Sequence, residues 1–203
     1  METTRGNSNL VNWVVGNILS LNQHIVNLLP EEMLESEGFK VEKRRQEYCA
    51  IRRLKQAAFP DDIITYLPSG KPVLKTNKLE IGISHSNQWA LFAYSNREFG
   101  CDIEEVSSRL LTVEERFCRG SEIECFSDND RLRSLTILWS CKEAIYKLVK
   151  EPGIHFKTGM ICNSVKGNRL NFTVHLANIS KEIHCEIIPF ENAILSIATY
   201  EKQ

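Results

Sequence analysis

The run from about Leu132 to Lys150 sets the terms on which the rest of this chain can fold. Leu135, Leu138, Ile145 and Val149 share one side of a helical wheel drawn at about 100° per residue. Pro152-Gly153 then supplies the breaker pair that ends a helix. Beyond that stop the period changes. Leu170–Leu176, Ile183–Ile188 and Ala193–Tyr200 alternate apolar and polar residues, which predicts strands with one face turned to a core. A helix with an apolar side followed by strands of this kind points to an α+β arrangement.

The first half repeats the plan. Residues 1–9 are polar and are expected to fray. Leu10 to Leu29 is rich in apolar residues, Ile25 and Val26 among them, and reads either as a strand followed by a helix or as one helix. Pro30-Glu-Glu-Met33 has the residues suited to a first helical turn. A basic helix is predicted over Glu42–Ala58, with Tyr48, Ile51, Leu54 and Ala58 on its apolar side and Arg44, Arg45, Arg52, Arg53 and Lys55 on the remainder. Leu67-Pro-Ser-Gly-Lys-Pro-Val73 is a turn, and short strands follow at Leu79–Ile83, Trp89–Tyr94 and Phe99–Glu104. Trp89–Tyr94 echoes Ile194–Tyr200. These patterns predict two similar subdomains, residues 1–100 and 101–203, each a helix on a small antiparallel sheet, with the active site in the cleft between them.

At 203 residues the chain is long enough to bury a core. A net charge of −1 excludes a global attraction to nucleic acid or anionic membrane, so any basic function is local. The seven cysteines form no Cys-x-x-Cys pair and read as reduced thiols of a cytoplasmic protein. No apolar run approaches the roughly 18 residues of a membrane span.

The chemistry concentrates in three short segments. In Phe99-Gly-Cys-Asp-Ile-Glu104, strand geometry turns Asp102 and Glu104 to one face and Cys101 and Ile103 to the other. Two hard oxygen donors, joined by a third carboxylate, are how a Mg²⁺ site on a phosphate substrate is usually built; the bland alternative is an acidic pair facing solvent from an edge strand. Trp139-Ser-Cys-Lys-Glu-Ala-Ile-Tyr-Lys147 offers that third carboxylate, Glu143, with Lys147 one turn on. Those two also read as a surface i,i+4 pair worth a few tenths of a kcal/mol. Trp139 beside the polar strip suggests a lined cleft. Ile81-Gly-Ile-Ser-His-Ser86 places Ser84 and His85 between two strands, as a polar turn or a ligand contact; Ser84 lacks the Gly-x-Ser-x-Gly elbow of a nucleophile. The arginines of the basic helix suit phosphate capture, or simply a solvated face. No Cys or His spacing fits zinc.

In this order the basic helix, the Gly70-Lys71-Pro72 turn, Ser-His-Ser, Asp-x-Glu and Trp-x-x-x-Glu-x-x-x-Lys resemble the 4′-phosphopantetheinyl transferases, in particular the long, pseudo-duplicated type that activates carrier domains of synthetases. The resemblance spans about residues 38–155. It implies transfer of the 4′-phosphopantetheine group of coenzyme A to a serine of an apo acyl or peptidyl carrier protein. It further implies Mg²⁺ on Asp102, Glu104 and Glu143, with Lys147 on the coenzyme A phosphates. His85 would contact the 3′-phosphate of the ribose or its neighbourhood, and Ser84 would also bind coenzyme A. By the pattern Arg44-Arg-Gln-Glu-Tyr-Cys-Ala-Ile-Arg52, Arg45 and Arg52 become phosphate contacts, with Lys71 alongside. Phe117-Cys-Arg-Gly-Ser-Glu122 resembles a segment whose glutamate is sometimes assigned to catalysis, so Glu122 and Glu143 are both candidates for the base.

Two departures stand out: Cys118 replaces the usual second Phe, and Cys101 a branched aliphatic residue. The expected protein is a cytoplasmic monomer. Two other readings compete with it: a homologue that binds carrier protein or coenzyme A without turnover, and another Mg²⁺-dependent enzyme acting on phosphate esters.

Overall fold

A computed structural model describes residues 3–23, 28–127 and 129–201. The chain divides into two compact units, Met1–Arg97 and Glu98–Gln203, each with its own sheet and core. Every strand pairing is antiparallel, so both units are α+β.

The N-terminal unit begins with a hairpin, β1 (Thr3–Ser8) and β2 (Val11–Asn17), turned by Asn9 and Leu10. Both turn residues have positive φ, 49° and 68°, as a two-residue hairpin loop with the twist of its strands requires. The expected fraying therefore gives way, from Thr3 on, to a strand that backbone pairing holds without an apolar pattern. The apolar segment after it resolves as strand then helix. Asn17 closes β2 and caps α1 (Ile18–Asn22) by accepting from the backbone N–H of Ser20. Residues 24–27 of that segment, Ile25 and Val26 among them, lie outside the described residues, and Leu28 and Leu29 beyond them are not helical. Next come α2 (Pro30–Glu37) and α3 (Glu42–Gln56), then the hairpin β3 (Ile64–Tyr66) and β4 (Pro72–Leu74), then β5 (Glu80–His85) and β6 (Trp89–Ser95). The sheet order is β1-β2-β6-β5-β4-β3.

Ala50, Ile51 and Leu54 of α3 meet Val14, Ile81 and Phe92 of the sheet in one core. The basic side of α3 is not a uniformly solvated face, because α2 covers part of it. Lys55 is fully buried against Glu32 of α2, 3.2 Å away, and donates to the carbonyl of Asp62. Arg52 is 1% exposed, its guanidinium 3.5 Å from the centre of the Tyr48 ring. A charge this far from water is tolerated only when paired or stacked, and both are.

The C-terminal unit runs β7 (Gly100–Glu105), α4 (Arg109–Phe117), α5 (Gly120–Ile123), α6 (Arg131–Val149), α7 (Phe156–Gly159), then β8 (Met160–Lys166), β9 (Arg169–His175), β10 (Ser180–Phe190) and β11 (Ala193–Tyr200). The order is β7-β11-β10-β9-β8. Asp130 caps α6, accepting from the N–H of Arg133, and Lys150 ends it in the left-handed conformation. Leu135, Leu138, Cys141, Ile145 and Leu148 of α6 pack on Phe172, Ile183, Cys185 and Ile194 of the sheet. Trp139, half-buried, packs against this core, its ring edge-on to Phe117 and tilted on Phe156. Among the described residues no helix is long and apolar enough to cross a membrane.

Candidate active site

β7 and α6 build the central part. In β7, Cys101 and Ile103 are buried on one face, while Asp102 and Glu104 lie on the alternate face that Gly100 shares. At Gly100 the helix touches the strand: a Cβ there would stand 1.9 Å from the carbonyl oxygen of Ala144 and 2.8 Å from the nitrogen of Leu148. Only glycine allows α6 to lie this close. Glu143 precedes that contact by one residue and Lys147 follows it by three.

Lys147 does not form the expected pair with Glu143 as its first partner. Its Nζ donates to Asp102 Oδ1 at 2.8 Å, across from helix to strand. Glu104 receives Arg109 of α4 at 3.3 Å. The three carboxylates act on one another. Burial, then Asp102 and Glu143, push Glu104 up to about 7 against the opposing pull of Arg109. Burial, then Asp102, also raise Glu143, with Lys147 and Arg109 opposing. Burial favours the neutral form of Lys147, but Asp102 and Glu143 outweigh it and its pKa is raised. Among the described residues no three acidic, histidine or cysteine side chains are drawn together as a ready metal cage. The donor set nonetheless fits Mg²⁺: three hard carboxylates, two of them held protonated beyond the ordinary carboxylate range by mutual repulsion and burial, gain from a divalent cation.

Glu122 is placed differently from expectation. It is wholly buried, its oxygens taken by Lys142 and by the backbone N–H groups of Arg119 and Cys162. A base must reach the proton it removes, and Glu122 is enclosed by its own partners. Lys142, the residue before Glu143, passed unnoticed in the sequence because charged residues on a helix read as solvent-facing.

In the N-terminal unit, α3 and the β5–β6 turn meet. His85, exposed at the end of β5, has Nε2 3.6 Å from Glu47 of α3, and Glu47 receives Arg44 at 3.0 Å. Lys43 donates to Asn87 in the same turn. Ser84 is buried next to His85. The residues gathered with His85 are thus Lys43 and Arg44, whereas Arg45 turns to Glu42 with two hydrogen bonds of 3.1 Å and Arg52 lies inside. The single step from Arg44 to Arg45 turns one side chain to Glu47 and the other to Glu42. Lys71, at the tip of the β3–β4 hairpin beyond Gly70 (φ 81°), pairs with Glu80 at 2.5 Å.

Residues 98–198, nearly the whole C-terminal unit with β7 and α6 in it, match the 4′-phosphopantetheinyl transferase superfamily. The C-terminal unit belongs to that superfamily. Among curated proteins the chain is similar to 4′-phosphopantetheinyl transferase gsp of Aneurinibacillus migulanus, 31% identical over 83 residues covering 39% of this chain and 35% of that one. It is also similar to 4′-phosphopantetheinyl transferase psf-1 of Bacillus pumilus, 33% identical over 84 residues covering 39% and 36%. The chain thus spans about a third of the length of the curated relatives it matches.

Proposed function

We propose that this protein transfers the 4′-phosphopantetheine group of coenzyme A to a serine hydroxyl of an apo acyl or peptidyl carrier protein, acting in the cytoplasm as a monomer. The observation that carries the reading is the mutually coupled set Asp102, Glu104, Glu143 and Lys147 on β7 and α6, inside the matched segment.

Asp102, Glu104 and Glu143 would hold Mg²⁺, which when bound offsets the charge of the diphosphate. The serine oxygen forms a bond to the phosphorus on the pantetheine side. The bond from that phosphorus to the bridging oxygen breaks, and adenosine 3′,5′-bisphosphate leaves. The serine proton passes to Glu143, directly or through one water, since the other carboxylate considered, Glu122, is enclosed by its own partners. Lys147 turns from Asp102 to the leaving phosphate as a point charge. In the N-terminal unit His85, Ser84, Arg44, Lys43 and Lys71 offer the donors for the remaining phosphates.

The test is a mass measurement. Incubated with coenzyme A, Mg²⁺ and an apo acyl carrier protein, the protein should add one phosphopantetheine to the carrier. Release of inorganic phosphate without that gain would make it a hydrolase, and binding without product a non-catalytic homologue.

A further inference from the structure

Lys142 and Glu122 are a buried ion pair that the reaction as written does not use. Both side chains are fully buried, with Nζ 2.8 Å from Oε1 and 3.0 Å from Oε2. Nζ also donates to the carbonyls of Phe117 at 2.7 Å and Phe156 at 3.0 Å. Glu122 accepts from the N–H of Arg119 at 2.8 Å and of Cys162 at 2.9 Å. One pair thereby ties α6 to the end of α4, to α5, to the first residue of α7 and to β8.

Stability alone does not account for it. Removing two charges from water offsets most of their attraction, and apolar residues of equal volume hold a core at least as well. Burial indeed lowers the pKa of Lys142, with Glu122 pulling the other way. What a hydrogen-bonded pair adds is direction. An apolar contact lets a helix rotate or slide by a fraction of an ångström; five hydrogen bonds of fixed geometry do not. The opposite flank of α6 is held at Gly100, where the strand admits no side chain between itself and Ala144. Glu143 and Lys147 lie between these two constraints.

We propose that the buried Lys142–Glu122 pair positions α6 so that Glu143 and Lys147 face Asp102 and Glu104, and that Glu122 serves the site through Lys142 instead of acting as its base. The kinetic part of this inference rests on the phosphopantetheinyl-transfer reading; the metal-binding part does not.

Four variants test it: Lys142→Met, Glu122→Leu, the two combined, and Glu122→Gln. Each is followed by thermal unfolding without metal, by Mn²⁺ titration of the free protein, and by kcat and KM for coenzyme A with apo carrier. The single apolar variants should melt well below wild type, since each leaves one charge buried alone, and the double variant should recover most of that loss. The recovered fold should still bind Mn²⁺ about tenfold more weakly and turn over about tenfold more slowly than wild type. A double variant with wild-type melting, Mn²⁺ affinity and kcat would make the pair packing only and overturn the proposal. So would a Glu122→Gln variant that keeps melting and Mn²⁺ affinity yet loses turnover by about a thousandfold, which marks a base. If wild type shows no transfer at all but the double variant still weakens Mn²⁺ binding, the functional reading fails while the positioning role stands.

Discussion

Gly100 and Ala144 are in contact where strand β7 passes under helix α6, so closely that a methyl group on Gly100 would stand 1.9 Å from the Ala144 carbonyl oxygen. The atom it meets is backbone, which has no rotamer to escape into. Gly100→Ala should therefore push α6 outward. The modest gain from stiffening the unfolded chain is overwhelmed by the clash, and the variant should lose about 3 kcal/mol of stability. Turnover should fall further than stability predicts, because Glu143 and Lys147 move with the helix. Thermal unfolding and activity measured below the variant's melting temperature check both; an unchanged melting point would show that the contact yields.

Lys147 answers to Asp102 more closely than to Glu143, and this changes what its removal does. As a helix-surface pair it would contribute at most about 0.5 kcal/mol. As the cation beside three coupled carboxylates it contributes more, so Lys147→Met should destabilise the metal-free protein by about 2 kcal/mol. Mg²⁺ should restore most of the melting temperature without restoring turnover, which should be down about a hundredfold. A deficit in melting temperature that Mg²⁺ leaves untouched would count against a shared metal site.

Glu104 gives the site a pH signature. Its carboxyl holds a proton more tightly in the folded chain, to about 7, than its ordinary value of 4.5. That extra proton affinity adds to stability in full below pH 4.5 and is lost as pH rises through 7. Glu104→Gln keeps the neutral form at every pH. Without metal it should melt like wild type at pH 4.5 and be more stable by about 2 kcal/mol at pH 8, the full shift being reduced for a side chain still 19% exposed. Mg²⁺ should reverse the order at pH 8, since it stabilises the ionised site only. Equal melting curves across this range would remove the electrostatic coupling from the account.

The elements with a clear period were legible in the sequence: α6 within a residue at either end, and β9 to β11 by their alternation. So was the carboxylate face of β7, because i,i+2 spacing fixes a common side whatever the surroundings. What escaped depended on partners elsewhere in the chain. A helical wheel cannot tell Arg44 from Arg52, because each lies one turn from Tyr48; the stack of Arg52 on the Tyr48 ring marks it as the enclosed one. The pairing of Lys142 with Glu122, which the sequence pattern offered only as a candidate base, escaped because nothing local reveals that the two meet twenty residues apart. β1 lacks apolar alternation and exists through its register with β2, while β3 and β4, at three residues each, are too short to carry a pattern.

The same ambiguity on α3 yields the last prediction. Arg44 stands with Glu47 and His85 beside the β5–β6 turn, its side chain 63% exposed and open to a ligand. Arg45 is held by Glu42, and Arg52 is enclosed. If His85 and its neighbours receive the 3′-phosphate, Arg44→Ala should raise KM for coenzyme A about tenfold and leave KM for dephospho-coenzyme A nearly unchanged, a difference of one charge-assisted contact. Arg45→Ala should alter neither. Arg52→Leu should act on folding, through the loss of its stack on Tyr48, and not on the ratio of the two KM values. Measuring that ratio for the three variants separates the assignments. A ratio that moves with Arg45 or Arg52 and not with Arg44 would return the phosphate contact to the residues that the sequence pattern alone had suggested.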